Sequence, residues 1–314
     1  MRFTALLPMA CAIVAFVLSM LCLFAGHKPD FMEDYHILTV NTSTLGHTLV
    51  NNSASSSGDS GIIGTFIHNI TDTIENDLDG IVNDLADKLS AELGIQQWYS
   101  LHLMDVCEGT YTPNATAKGA KYNATKCTNQ TAMYHFNLEK ILNEQLEVGN
   151  LHINLSDLGW PDSIQNDIND ANAGLDATFV LYVIGITAAG LLILTSPISI
   201  FSNGSRLVSL GNLSLAVISF LTLLIASVIV TIFQNKAADV INKYGNDIGA
   251  YAYKGKKYLV ITWVSVAVMF LATLAWMVEF CVGRRNSRRE YTEKRIKTTT
   301  PTRRRRWGRG RANV

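Results

Sequence analysis

Four stretches of the chain are apolar without alternation: Thr4 to Ala25, Ala177 to Phe201, Leu207 to Phe233 and Tyr258 to Val278. None of them contains Asp, Glu, Lys, Arg or His. About 20 apolar residues are needed to cross the roughly 30 Å hydrocarbon core of a bilayer. Each stretch therefore predicts a transmembrane helix. The first follows Arg2 and could be a signal peptide, but it is longer than the usual apolar region of one. It also places Leu23 or Phe24 where a cleavage site needs a small residue, so a retained span is expected.

Between the spans the pattern changes period. Ile63, Ile67, Ile70, Ile74, Leu78, Ile81, Leu85 and Leu89 recur every three or four residues, with acidic residues filling much of the remainder. That spacing predicts an acidic amphipathic helix packed on its own domain, weakened at Gly80 and stopped near Gly94. A shorter helix is expected over Phe136 to Val148. A third would start at Pro161 and carry Ile164, Ile168 and Leu175 toward the second span. The third span is expected to continue through Ala237, Val240 and Ile241 until Gly245 and Gly249 break it. The fold class predicted is an all-α membrane protein: a four-transmembrane-helix bundle with a large, mainly helical, disulfide-containing extracellular loop.

Charge changes the picture by giving it a direction. The formal net charge is zero, yet residues 26–176 hold six Lys against twenty-one Asp and Glu, and residues 282–314 hold thirteen Lys and Arg against two Glu. Positive charge accumulates on the cytoplasmic side, so both termini are expected inside. The five Lys between Asn235 and Lys257 dissent, and the tail cluster outweighs them. Seven N-x-S/T sequons, at Asn41, Asn51, Asn69, Asn114, Asn123, Asn129 and Asn154, all fall in the acidic segment. Such density favours exposure to the secretory lumen and N-glycosylation there. Asn203 and Asn212 also begin sequons, but in or beside membrane. The expected organisation is span one at 1–25, a glycosylated extracellular domain at 26–176 and span two at 177–201. A cytoplasmic loop at 202–206, span three at 207–233, an extracellular loop at 234–257, span four at 258–278 and a basic cytoplasmic tail at 279–314 complete it.

Cysteine usage adds one covalent expectation. Cys11 and Cys22 lie in the first span and Cys281 just past the fourth, which leaves Cys107 and Cys127 as a pair in the large loop. In an oxidising compartment an isolated pair is read as a disulfide, the alternative being two free thiols. Around it the chain reads Trp98-Tyr99-Ser100-Leu101-His102-Leu103-Met104-Asp105-Val106-Cys107-Glu108-Gly109. Later come Ile241-Asn242-Lys243-Tyr244-Gly245-Asn246-Asp247-Ile248-Gly249, Tyr251-Ala252-Tyr253-Lys254-Gly255, and Glu279-Phe280-Cys281-Val282-Gly283-Arg284-Arg285.

In that order these stretches resemble the fungal SUR/PalI family of four-span membrane proteins, which is distantly similar to claudins. The resemblance implies a plasma-membrane protein, multi-pass, of cortical patches of the eisosome type. Such patches are associated with membrane organisation, endocytosis, cell-wall integrity and sporulation. The PalI branch instead assists an ambient-pH receptor, and its members tend to carry longer cytoplasmic tails than this one. A claudin would carry Gly-Leu-Trp before its first extracellular cysteine; Leu101 to Val106 does not, which argues against claudin-like adhesion.

The remaining chemistry is sparse. Arg284, Arg285, Arg288, Arg289, Arg303, Arg304, Arg305 and Arg306 form a juxtamembrane basic cluster, expected to bind anionic lipid of the cytoplasmic leaflet at about 1 kcal/mol per basic residue near the surface. The same cluster also serves to fix topology, and its Arg-x-Arg pattern could retain the chain in the endoplasmic reticulum. Membrane tethering argues against nucleic acid as its partner. Cys281 is a candidate for acylation. Gly185 and Ala189 form a small-xxx-small pair suited to close helix packing within the bundle. All seven histidines, His27, His36, His47, His68, His102, His135 and His152, lie in residues 26–176. Histidine changes charge between about pH 5 and 8, so they could respond to external pH; with no metal or switch spacing among them, they read instead as scattered surface residues. Charge-free spans argue against a pump or coupled transporter. There is no nucleophile elbow, phosphate-binding glycine loop or His-Glu-x-x-His run, so no enzyme activity and no cofactor are expected. Expected partners are membrane lipids, membrane or cortical scaffold proteins and, as a homo-oligomer, other copies of the chain.

Overall fold

The computed structural model describes residues 6–29, 31–44, 96–113, 115, 117, 119–135, 164–201, 206–246 and 249–299. The helices α1 (Leu6–Phe24), α2 (Ile164–Phe201), α3 (Arg206–Gly245) and α4 (Lys256–Thr299) dominate it. Each contains a segment long and apolar enough to cross a membrane: Leu6–Phe24, Asn169–Ser199, Leu207–Gly245 and Lys256–Val282. α1 packs on α2 and α4, and α3 packs on the same two helices, which closes an up-and-down bundle. Leu191, Leu194, Ile218, Ile225, Val264 and Leu271 point outward and are exposed. An outward apolar surface is what lipid contact demands, because the bilayer core is itself the solvent.

The helices outrun their apolar windows. α2 begins thirteen residues before Ala177 and takes in Leu175, which is buried. α3 runs on through Ala237, Val240 and Ile241, as their spacing predicts, and ends at Gly245. A Cβ there would lie 2.5 Å from the Ala250 carbonyl oxygen, so the chain can turn back tightly only at a glycine. Gly249 follows with φ of 84°, a left-handed conformation glycine adopts at little cost. α4 passes without a break from the apolar segment into the basic one and ends at Thr299.

Inside the bundle, hydroxyl groups join the helices to one another. Ser19 on α1 bonds Ser265 on α4 at 2.7 Å, and Ser219 on α3 donates to the Gly185 carbonyl on α2 at 2.9 Å. Ser227 on α3 meets Thr262 on α4 at 2.6 Å, and Tyr182 on α2 reaches the same Thr262 hydroxyl. Interhelical bonds of this kind average about 0.6 kcal/mol in membrane proteins. Gly185 lies against α3, where a Cβ would come within 2.9 Å of Leu223 and Thr222. Ala189 is buried one turn further on, so the small pair serves packing within the bundle.

The large loop holds a sheet that was not expected. Its residues 164–176 are helical, as the start of α2, while the described residues between 26 and 135 form a sheet with a short 3-10 turn at Glu33–Tyr35. β1 (Leu38–Asn41), β2 (Trp98–Leu101), β3 (Val106–Thr112), β4 (Lys121–Cys127) and β5 (Tyr251–Lys254) pair antiparallel in the order β4-β3-β2-β1-β5. Leu38 stands opposite Leu101 on one side and Lys254 on the other. β5 comes from the connection between α3 and α4, so the sheet stitches both connections together at the end of the bundle where α1 and α3 finish. The expected helices over 63–89 and 136–148, and Pro161, lie outside the described residues.

Candidate functional site

The segment that joins the first span to the sheet contributes to a buried polar cluster. Glu33 and His36 lie on and just after the 3-10 turn, Ser100 on β2, and His102 and Asp105 in the β2–β3 turn. That turn closes through the His102 N–H donating to the Asp105 carbonyl at 2.9 Å. Gly26 has φ of 82°, and a Cβ on it would fall 2.4 Å from the His102 ring and 2.5 Å from Asp105 Oδ1. The left-handed glycine is what lets the chain leaving α1 press against the turn.

The cluster is dense in ionisable groups. His102, Asp105 and Ser100 are 0% exposed and Glu33 7%. Ser100 donates its hydroxyl proton to Glu33 Oε1, and His102 Nε2 lies 3.6 Å from the same oxygen. Gln130 donates to Asp105 Oδ2 at 3.0 Å. Glu33 Oε2, His102 Nδ1 and Asp105 Oδ1 are buried without hydrogen-bond partners. Burial pushes the Asp105 carboxyl up from its ordinary range, against the pull of His102 and Gln130. Burial likewise pushes His36 down, against its bond to the Glu33 carbonyl at 2.7 Å. Serine, histidine and glutamate meet here, but not as a nucleophilic triad. The serine proton goes to the carboxylate, and all three side chains are closed off from solvent.

The lowered His36 pKa has a definite sign. A base whose folded pKa lies below its unfolded value of about 6.5 binds more protons in the unfolded state. Stability from His36 is therefore intact above that value and is lost as pH falls through it, by at most about 1.4 kcal/mol per pH unit. The protein is expected to melt at lower temperature at pH 5 than at pH 7.5. His36→Asn, which retains a side-chain donor, should show a shallower dependence. Identical slopes for the two proteins would refute this role for His36.

The other anticipated residues are spread out. Cys107 and Cys127 stand directly opposite one another on β3 and β4 and form a disulfide. The bridge seals a small core in which Trp98 packs on Cys107 and Ala124, with Tyr111 and Tyr122 at its rim. Asn123 and Asn129 are exposed; Asn41 is half-buried in β1, where its Oδ1 accepts from the Ser43 N–H at 2.9 Å. Asn51, Asn69, Asn114 and Asn154 lie outside the described residues. Asn212 is buried between α3 and α2, its Oδ1 accepting from Thr195 at 2.7 Å. Cys281 is exposed on α4. Arg284, Arg285, Arg288 and Arg289 fall on the same helix, and Arg303 to Arg306 lie beyond the described residues.

The histidines correct the sequence reading most clearly. His36 and His102 are buried, not scattered on a surface, and their rings lie 6.4 Å apart. His135 is exposed and pairs with Asp176 at 3.0 Å. His47, His68 and His152 are not among the described residues. The signal available in the sequence was the run Ser100 to Asp105, where two ionisable side chains interrupt otherwise apolar positions.

The sheet that frames this cluster is built in part from two of the stretches that carry the family resemblance, Trp98 to Gly109 and Tyr251 to Gly255. The model of the SUR7/PalI family matches residues 4–275. The chain belongs to the SUR7/PalI family. The match takes in the first three apolar spans, most of the fourth and the whole sheet of this SUR7/PalI protein and ends within α4, ahead of Glu279 to Arg285 and the basic segment. No curated protein and no solved structure matches the chain.

Proposed function

We propose that this SUR7/PalI protein organises lateral domains of the plasma membrane without catalysing a reaction. The observation that carries the reading is the family match over residues 4–275. The architecture supports it. The bundle turns apolar side chains to lipid, the sheet ties the loops into one head, and the densest polar cluster is closed to solvent. In this reading the outer face of the bundle and the head make lateral contacts, with other copies of the chain among the partners. The basic end of α4 and the arginines after it hold anionic lipid or a cortical scaffold.

The test is the position of the chain, tagged after Val314, in living fungal cells. Stable puncta at the cell periphery that coincide with a cortical-patch marker are expected. A perinuclear network would overturn the reading and favour retention in the endoplasmic reticulum. A second reading, assistance to an ambient-pH receptor as in the PalI branch, is favoured by the buried histidine–carboxylate cluster. Loss of alkaline-pH signalling on deletion, with patches unaltered, would select it.

We also place the sheet outside and the basic segment inside. Support comes from the tail charge, the disulfide and the exposure of Asn123 and Asn129 on the sheet side. Asn123→Gln and Asn129→Gln are each expected to raise electrophoretic mobility by one glycan, and Asn41→Gln to leave it unchanged, because the Asn41 side chain is half-buried and bonded to the Ser43 N–H. Unchanged mobility in all three variants would sink the assignment.

A further inference from the structure

One ligand atom each from Glu33, His102 and Cys107 lies within 4.8 Å of the others, and all three residues are buried. In the structure the Cys107 sulfur is bonded to Cys127, so it offers no thiolate. Opening that bond would change the chemistry of the cluster without dismantling it. Cys107 is held in place independently by the pairing of β3 with β2, where it stands opposite Ser100. His102 is held by its own turn, through the bond to the Asp105 carbonyl.

Two further observations point to a cation. Glu33 Oε2 and His102 Nδ1 are both buried and have no hydrogen-bond partner. Among the described residues no lysine or arginine is buried, so Glu33 and Asp105 have only the histidines to balance them there. A buried carboxylate without a counter-charge is costly, and proteins compensate it with a proton, a cationic side chain or a metal.

We propose that reduction of the Cys107–Cys127 bridge creates a zinc site, with the Cys107 thiolate, His102 and Glu33 as its ligands. A dithiol supplies the electrons: it is oxidised to its own disulfide while the Cys107–Cys127 bond breaks and each sulfur takes up a proton. Zinc then binds as the Cys107 thiol gives its proton to solvent, because the thiolate is the metal ligand. Sulfur, nitrogen and oxygen donors with a fourth position left for water form a recognised zinc set. Tetrahedral zinc spaces such ligand atoms roughly 3.3–3.8 Å apart; His102 Nε2 and Glu33 Oε1 already stand 3.6 Å apart, and no donor has to close in by more than about an ångström from the 4.8 Å limit. Ser100, bonded to Glu33, would orient that carboxylate from behind. Bridge and metal are alternative states of one corner, since both need the same sulfur.

The experiment uses the full chain purified in detergent and titrated with Co²⁺ as a spectroscopic stand-in for zinc. Exposed Cys281 is replaced by Ser throughout to remove a competing thiol. Cys127→Ser leaves Cys107 permanently free and needs no reductant; wild type reduced by a dithiol and desalted is the second preparation. Both are expected to show the thiolate-to-cobalt charge-transfer band at one metal per chain, and the oxidised protein none. Adding His102→Gln or Glu33→Gln should weaken cobalt affinity at least tenfold. Absence of the band in whichever free-thiol preparation is monodisperse overturns the proposal. So does a band of equal affinity in the His102→Gln protein, which would mean coordination by thiol alone.

Discussion

Gly255→Ala is expected to lower stability by at least about 3 kcal/mol, beyond the usual cost of an overpacked site. A Cβ at this position would sit 1.7 Å from the His36 carbonyl oxygen, 2.8 Å from its carbon and 3.0 Å from the Ile37 oxygen. None of these atoms can step aside cheaply. The Gly255 N–H donates to the Ile37 carbonyl at 3.0 Å, and the Gly255 carbonyl accepts from Gln234 at 3.2 Å. Relief would require β5 to leave β1, or α4 to leave its seat beside α3. Gly211→Ala is the matched control, because nothing lies within 4 Å of its added carbon and alanine favours a helix. The measurement is thermal unfolding in detergent, followed by size-exclusion profile and intrinsic tryptophan fluorescence. A Gly255→Ala protein melting within a degree or two of wild type would show that the two connections are not clamped at this point.

That clamp is the part of the fold the sequence conceals. The spans were legible because lipid requires long uninterrupted apolar runs, and nothing else in the chain imitates them. The continuation of α3 was legible too, since Ala237, Val240 and Ile241 keep helical spacing outside the apolar window. The Cys107–Cys127 bridge followed from there being no other pair in the loop. The sheet was hidden for two physical reasons. β1 and β2 are four residues each and nearly every residue in them is buried, so the alternation that marks a strand is missing. Their pairing is also non-local: β1 lies between a strand far along the same loop and one from the other connection. The buried cluster was hidden with it, because Glu33 and His36 meet Ser100, His102 and Asp105 only after those strands pair. Spacing along the chain cannot report a contact that the sheet register makes.

The second large effect is expected from His102→Leu, a loss of about 1–3 kcal/mol, the usual cost of leaving a buried polar group without its partner. Leucine fills much of the ring's volume, so the loss should come mainly from charge and hydrogen bonding, with little left to cavity formation. Without the imidazole, Glu33 retains only the Ser100 hydroxyl and Asp105 retains Gln130. Both carboxyls stay behind the same closed wall. The decisive comparison is the double variant His102→Leu with Glu33→Leu. Replacing both members of a buried pair by apolar groups is often close to neutral, so the double variant should be more stable than His102→Leu alone, with a coupling energy of about 1–3 kcal/mol. Unfolding temperatures of the four proteins in the cycle measure it directly. Strict additivity would mean that the imidazole and the Glu33 carboxyl do not stabilise one another. Coupling of the expected size would make His102 the residue that fastens the first span to the sheet.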